Sequence, residues 1–249
     1  SEARSYHVNQ LMLDVLAYAP TRVHVSNLGA AIAMRLTEGT GIQVVCPDGP
    51  STDEMLPEAK ISGLKDVRFS PGGHVLNCKQ VARVVSARLG KKLEDTSFVV
   101  VHMGGGSTVA ALKGGRIHDI LCTDRGPMSA ERSGSLPVTD LIHMCYSGMC
   151  RTESEMVAYC ANRGGLMSHT GTNDARELER RALEGDEAVV RVFKAMAYQV
   201  AKAVGEMYVV LGCHADAVIF TGAMANSDYI TGLIAEQVKA LAPIEKVPG

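Results

Sequence analysis

Three consecutive glycines, Gly104 to Gly106, lie between two apolar runs in the segment VVVHMGGGSTVAALK. The run before them predicts a buried β-strand that ends with His102 and Met103. Because a second strand-like run follows instead of a helix, the segment differs from both the Walker loop and the dinucleotide fingerprint. Two interpretations remain open: a tight turn that uses the positive φ of glycine, or a phosphate cradle built from backbone N–H groups and Ser107.

Histidine, arginine and aspartate side chains are further candidates for residues that bind a ligand or take part in catalysis. His74 follows two glycines and either begins a helix or faces a ligand, and His102 is at least as well explained as a structural histidine. Arg132, in the segment ERSG, could hold an anion with two hydrogen bonds or belong to a solvated loop. Asp48 follows a predicted strand, where open α/β folds keep their chemistry, although surface acids are commoner in such turns.

Composition and charge exclude several classes of protein. The 249 residues are 46% hydrophobic, enough for one large domain or two small ones. Basic and acidic residues, 25 and 27 of them, are interspersed, so nucleic acid is not an expected partner. No apolar run approaches the ~20 residues that span a bilayer. Seven cysteines without metal-site spacing predict reduced, buried thiols and a cytoplasmic location.

Strand and helix patterns alternate along the chain, which predicts an α/β protein. The predicted strands span residues 41–47, 97–103 and 216–221, with a hairpin of residues 109–113 and 116–120. The predicted helices span residues 28–36, 75–89, 138–146, 153–159, 174–184, 187–211 and 229–241. Ser26, Thr152 and either Asn226 or Ser227 are expected N-caps. The charged stretch at residues 91–95 predicts a domain boundary, giving domains 1–93 and 94–249.

These segments, in this order, resemble the butyrate-kinase branch of the acetokinase family, within the acetate and sugar kinase, heat-shock chaperone and actin superfamily. The matching motifs are HVNQLML, SNLGAAIA, PDGPSTDEM, HVLNCK, HMGGGSTVAALKGGRIHD, RGPMSAERSGSLP, GTNDARELE and IFTGAMANS. They cover nearly the whole chain, and HxGGGS followed by ERSGxLP is specific to the acyl-kinase branch. The resemblance implies a ribonuclease-H-like (actin-like ATPase) fold, with part of a substrate-side domain and a nearly complete nucleotide-side domain.

The resemblance also implies an activity. The expected enzyme is an ATP-dependent phosphotransferase that moves the γ-phosphate to butyrate or a branched relative, reversibly and with Mg²⁺, and assembles as a homodimer. The alternative is a catalytically inactive nucleotide-binding or assembly fragment. The implied catalytic residues are Arg132, His74 and Asp48. The implied nucleotide-binding residues are His102, Gly104, Gly105, Gly106, Ser107, Asp174, Arg176, Thr221, Gly222 and Ala223.

Three departures from the family pattern affect these expectations. Ala223 replaces the second glycine of the adenosine turn, and Gly73 replaces an aromatic residue. The family's first phosphate hairpin and its closing helices have no counterpart in the sequence. We therefore expect a chain shortened at both ends, with impaired activity and apolar surface that promotes self-association.

Overall fold

The computed structural model describes residues 5–18 and 27–249, so the expected cap Ser26 lies outside the described residues. Its strands are β1 (Tyr6–His7), β2 (Val45–Cys46), β3 (Ser97–Met103), β4 (Ser107–Lys113), β5 (Arg116–Cys122), β6 (Ala217–Gly222) and β7 (Ile244–Pro248). Its helices are α1 (Gln10–Tyr18), α2 (Leu28–Leu36), α3 (Val75–Arg88), α4 (Val138–Tyr146), α5 (Glu153–Asn162), α6 (Gly165–Thr170), α7 (Ala175–Leu183), α8 (Glu187–Val210) and α9 (Asp228–Val238). The predicted α/β class is confirmed.

A five-stranded sheet, in the order β5-β4-β3-β6-β7, forms the centre of the fold. β3 pairs antiparallel with β4 and parallel with β6, while β4–β5 is antiparallel and β6–β7 parallel. The predicted hairpin is confirmed: Gly114 and Gly115 join β4 to β5 with φ of 58° and 75°. Positive φ at both positions is what a two-residue type I′ turn requires.

Helices cover both faces of this sheet, because successive side chains of a strand point to opposite sides. Val99 and Val101 of β3 pack with Phe220 into the core on the side of α8 and α9. Phe98 and Val100 pack into a second core with the apolar stripe of α3. β3 is therefore buried on both sides, as its continuous apolar run predicts.

The helix predictions are confirmed, with small differences at the ends. Half of the predicted capping box forms: Thr152 accepts a hydrogen bond from the Glu155 N–H at 3.2 Å, whereas the Glu155 carboxylate accepts from Arg151 N at 2.7 Å. Helix α5 continues to Asn162. Ser227 caps α9. The predicted boundary at residues 93–94 stays a prediction, and α3, which precedes it, packs on the sheet that follows it.

Two expectations are wrong. The predicted buried strand 41–47 is reduced to β2, which pairs with the equally short β1; Ile42 is 65% and Val45 49% exposed, since no helix of the described ranges covers them. The cysteines are free but not all buried, because Cys46 lies on this exposed strand and Cys145 and Cys213 lie at or beyond helix ends. Among the residues described, no helix has the length and apolar character needed to cross a bilayer.

Candidate active site

The ends of β3 and β6 define the site. These neighbouring strands are parallel, so both carboxyl ends lie at one edge of the sheet, where α/β proteins bind ligands. His102 pairs in register with Thr221 of β6 and with Thr108 of β4. The three side chains form a polar row on the α3 side of the sheet. The glycine loop (residues 104–106) follows this row and closes with a hydrogen bond from Gly104 N to Gly106 O at 3.0 Å.

Arg132 lies directly on the glycine loop. A Cβ atom on Gly106 would lie 2.5 Å from Arg132 Nη1, so the absence of a side chain there lets the guanidinium approach the backbone. The Ser129 hydroxyl donates to Gly105 O at 2.6 Å, and Glu131 N donates to the same oxygen at 3.3 Å. The structure therefore brings together two segments that the sequence analysis treated as separate candidates.

Backbone hydrogen bonds from the start of α6 hold the arginine loop (residues 129–133) in place. Gly164 N donates to Glu131 O at 2.8 Å, and Leu166 N donates to Ser129 O at 3.1 Å. A Cβ on Gly165 would lie 1.8 Å from Ser129 O, so the backbones meet without room for a side chain. The signal for this support in the sequence is the pair Gly164-Gly165, since a Gly-Gly pair is a recognised turn signal, but the pair alone does not predict the contact.

His74 and His102 form a stacked pair. Their ring centroids are 3.7 Å apart with an interplanar angle of 12°. His74 Nδ1 lies 2.9 Å from Thr108 Oγ1, and His102 Nδ1 lies 2.8 Å from Asn77 Oδ1. His74 also occupies the N-cap position of α3, without a side-chain capping bond, so it begins the helix and faces the site as well.

Burial keeps both imidazoles neutral at pH 7. It lowers the pKa of His74, with a further contribution from the charge of Arg132. Burial, followed by the charge of His74, lowers the pKa of His102 to about 4. The pair therefore offers hydrogen bonds, and Arg132 supplies the positive charge beside the glycine loop.

The surroundings of Gly73 explain why this position has no side chain, where the family pattern has an aromatic residue. Its φ is +139°, and a Cβ there would lie 2.9 Å from Thr108 Oγ1, the atom that His74 contacts. A side chain at this position would displace Thr108 and with it the histidine.

Asp48 lies in a buried ion-pair network that the sequence analysis did not predict. Lys79 Nζ is 2.7 Å from Asp48 Oδ1 and 3.0 Å from Glu54 Oε1. Lys79 follows Val75 by four residues and so falls on the buried stripe of α3. The sequence signal for this network is a lysine on an apolar helix stripe, because a buried lysine is normally paired with a carboxylate.

Asp174 is the N-cap of α7, where its Oδ1 accepts hydrogen bonds from Arg176 N at 3.0 Å and Glu177 N at 3.4 Å. These bonds lower the pKa of the carboxyl. The Arg176 side chain is 94% exposed. Asn173 Nδ2 donates to Glu131 Oε1 at 2.5 Å, which ties this corner to the arginine loop.

Thr221 and Gly222 are the last two residues of β6, and Ala223 begins the turn that follows. Thr221 is fully buried, and its hydroxyl has no hydrogen-bond partner in the described part of the chain. Gly222 has φ 84°, and a Cβ there would lie 2.4 Å from Met103 O, so this turn presses on the end of β3. Ala223 is exposed and begins a short 3₁₀ helix that ends at Asn226.

Comparisons with known proteins place the chain in a family. Residues 65–243 match the model of the acetokinase family. The chain belongs to that family. It is 41% identical over 249 residues to a probable butyrate kinase 2 from Caldanaerobacter subterraneus subsp. tengcongensis, an alignment that covers the whole chain and 70% of the relative.

Solved structures extend the likeness to the fold. An acetate kinase from Porphyromonas gingivalis matches with a TM-score of 0.85 at 18% identity, covering 100% of this chain and 71% of the other. A propionate kinase from Francisella tularensis matches with a TM-score of 0.84 at 19% identity, covering 99% and 72%. The predicted actin-like ATPase fold is confirmed, and the acetokinase chain is a homologue of short-chain carboxylate kinases.

Proposed function

We propose that this acetokinase-family chain transfers the γ-phosphate of ATP to the carboxylate of butyrate or a branched relative, yielding an acyl phosphate and ADP, and catalyses the reverse reaction. The observation that carries the proposal is the Arg132 guanidinium lying on the glycine loop at the shared edge of β3 and β6. The 41% identity to a probable butyrate kinase 2 favours a four-carbon acid.

In this mechanism a carboxylate oxygen attacks the γ-phosphorus in line. The new O–P bond forms as the bond from the γ-phosphorus to the bridging oxygen breaks, and ADP leaves with that electron pair. Phosphoryl transfer depends mainly on positioning and electrostatic stabilisation. We assign the charge stabilisation to Arg132, and to His74 a hydrogen bond from a neutral ring, since burial and Arg132 lower the pKa of His74.

The nucleotide would lie along the same edge. We assign the β- and γ-phosphates to His102, Ser107 and the glycine loop, in which Gly105 is exposed. We assign the adenosine to Thr221, Gly222 and Ala223, with Asp174 and Arg176 on the nucleotide side. The Arg176 side chain is 94% exposed, with its Nε 3.6 Å from Asp174 Oδ1, so its guanidinium is accessible to a ligand. The unpartnered Thr221 hydroxyl supports a polar neighbour at this turn.

Magnesium is the expected metal. The described ranges hold no cluster of three or more His, Cys, Asp or Glu side chains that could bind a metal ion. This fits Mg²⁺, which is usually held by phosphates, water and one or two carboxylates. Asp48 is the carboxylate we propose for it, because among the described residues nothing donates to its Oδ2. The bound metal would neutralise charge on the phosphates.

We also propose that the chain forms a homo-oligomer. Val138, Ile142 and Tyr146 lie four residues apart on one face of α4 and are 72%, 49% and 89% exposed. Light scattering should give a mass above that of one chain. A Tyr146→Ser variant that remains associated would exclude this face.

Hydroxamate trapping of the acyl phosphate tests the proposed reaction, with acetate, propionate, butyrate and isobutyrate as acceptors. We expect product with butyrate or isobutyrate, and a loss of about 10²–10³-fold in kcat for Arg132→Ala. Arg163→Ala, an exposed arginine at the end of α5, is the control and should retain activity.

No product at any enzyme concentration, while a longer relative works in parallel, would overturn the proposed reaction. Calorimetry with ADP would then separate a nucleotide-binding module, which releases heat, from a chain that binds no nucleotide.

A further inference from the structure

A buried ion triad joins α3, the turn at Asp48 and the sheet. The Lys79 ammonium donates to Asp48 Oδ1 and to Glu54 Oε1. The side chains of Lys79, Asp48 and Glu54 are only 10%, 13% and 4% exposed. Ion pairs at this depth are little screened by solvent, and removing one partner leaves the others uncompensated.

Glu54 is held by a hydrogen bond from β5, and Lys79 by its place in α3. Glu54 Oε2 accepts a hydrogen bond from Ile117 N of β5 at 2.9 Å, and nearby Leu56 N donates to His118 O at 2.9 Å. Lys79 belongs to the second turn of α3, the helix that His74 begins. The ammonium is therefore held between the sheet edge and the helix that carries a proposed catalytic residue.

Asp48 differs from Glu54 because only one of its carboxylate oxygens, Oδ1, accepts a hydrogen bond from the described residues. Its φ is 42°, in the left-handed region, which Asp tolerates but which still costs free energy. Such a conformation persists where neighbouring contacts fix it, and Lys79 provides the contact to its carboxylate. One ammonium faces two carboxylates, so the triad carries a net negative charge when all three groups are ionised.

We propose that Lys79 is a positioning residue for phosphoryl transfer: anchored by Glu54, it holds Asp48 through Oδ1 and leaves Oδ2 without a hydrogen bond from any of the described residues. The inference rests on the proposed function, because it gives a purpose to the orientation of Asp48. Lys79 itself touches neither substrate. The competing explanation is an ion pair that only stabilises the fold.

Three variants separate the explanations. Lys79→Met keeps the length of the side chain and removes the charge, and Lys79→Arg keeps the charge. Lys60→Met is the matched control, because Lys60 Nζ lies 2.8 Å from Asp53 Oδ2 in a half-buried pair of the same segment that does not involve Asp48.

We expect Lys79→Met to lower kcat by about 10²-fold while KM for ATP changes by less than about threefold, since small misplacements of reacting groups have effects of this size. Lys79→Arg should recover at least about tenfold of that loss, and Lys60→Met should stay within about threefold of the unsubstituted chain. A kcat for Lys79→Met that matches that of Lys60→Met would overturn the inference.

Lys79→Met leaves the carboxylates of Asp48 and Glu54 without a cation, which should lower the free energy of unfolding. The double variant Lys79→Met/Glu54→Gln removes that repulsion. If its thermal stability returns while kcat stays low, positioning is supported. If kcat returns together with stability, the triad is only structural and the inference fails.

Hydrogen–deuterium exchange gives a readout that does not depend on turnover. Lys79→Met should speed exchange in residues 47–52 and leave residues 75–88 unchanged, whereas Lys60→Met should leave residues 47–52 unchanged. If the unsubstituted chain makes no acyl phosphate, the proposed function fails. Exchange in residues 47–52 then decides only whether Lys79 holds the Asp48 turn. If that chain is active and exchange at 47–52 is the same in all variants, the Lys79 inference fails while the function stands.

Discussion

Two turns leave neighbouring parallel strands at the same edge of the sheet, and each depends on glycine for a different reason. After β3, a Cβ on Gly106 would meet the tip of a flexible side chain, Arg132 Nη1, at 2.5 Å. At the end of β6, Gly222 has a φ of 84°, and a Cβ there would meet a backbone atom, Met103 O, at 2.4 Å.

The difference teaches which glycine the fold requires and which the site requires. A backbone atom inside a sheet cannot move without breaking strand pairing, whereas a guanidinium can swing away. Substitution at Gly222 should therefore destabilise the fold, and substitution at Gly106 should leave the stability nearly unchanged but displace the arginine.

The largest effect is expected for Gly222→Ala. The positive φ and the overlap with Met103 O should together lower the free energy of unfolding by about 2–6 kcal/mol, measured by urea denaturation. Gly205→Ala is the control: this glycine lies within α8 with nothing near its Cβ position, so the free energy should rise by about 0.5–1 kcal/mol. Equal stability of the two variants would refute the contrast.

Gly106→Ala tests the other turn. We expect kcat for acyl phosphate formation to fall by about 10²-fold, because the methyl group displaces the Arg132 guanidinium. The free energy of unfolding should change by no more than about 1 kcal/mol. Gly105→Ala should lose less activity, since its Cβ would make an ordinary 3.6 Å contact with Glu131. A loss of stability comparable to that of Gly222→Ala would remove the distinction between the turns.

Acidification should affect the end of β3, which carries His102, more than the turn after β6. His102 has a folded-state pKa of about 4 against an ordinary 6.5, whereas its register partner Thr221 does not titrate. The unfolded chain therefore binds a proton that the folded chain does not between these values. This contribution to stability is complete above pH 6.5 and is lost as pH falls towards 4, and His74 acts in the same direction.

Urea midpoints at pH 7 and pH 5 measure this dependence. His102→Gln should flatten it, whereas His143→Gln, on the exposed surface of α4, should leave it unchanged. An identical slope in both variants would assign the acid sensitivity to other groups.

The smallest effect is expected for Ala223→Gly. Restoring the second glycine of the turn removes a methyl group where we propose the adenosine lies, so the Kd for ADP in calorimetry should fall by less than about tenfold. Stability should decrease by at most about 1 kcal/mol. Weaker ADP binding in this variant would place the adenosine elsewhere.

Local patterns predicted most of the fold. The apolar run of β3, the glycine pair of the hairpin and the stripe of α8 each specify their element within a few residues. Residues 41–47 show the limit, because an apolar run does not say whether another element will cover it. β2 is exposed where the run alone predicts burial.

The candidate site could be predicted only in part. Motifs located Arg132 and the glycine loop, but not their contact, which depends on Gly164 and Gly165 pressing on the arginine loop. The role of Lys79 required knowing that the Asp48 turn reaches α3. Contacts between segments distant in sequence arise from topology, which local periodicity does not encode.

The pairing of β3 also sets an order for assembly. β3 joins β4 across the short glycine loop, but its other neighbour, β6, begins only at Ala217. Loop-closure entropy makes the first pairing cheaper, and synthesis from the N-terminus delivers it first. We expect a growing chain to hold β3 with one edge unpaired until β6 emerges, an edge open to other chains. The time for which this edge of β3 stays unpaired during synthesis is therefore set by how quickly α8 and β6 are made.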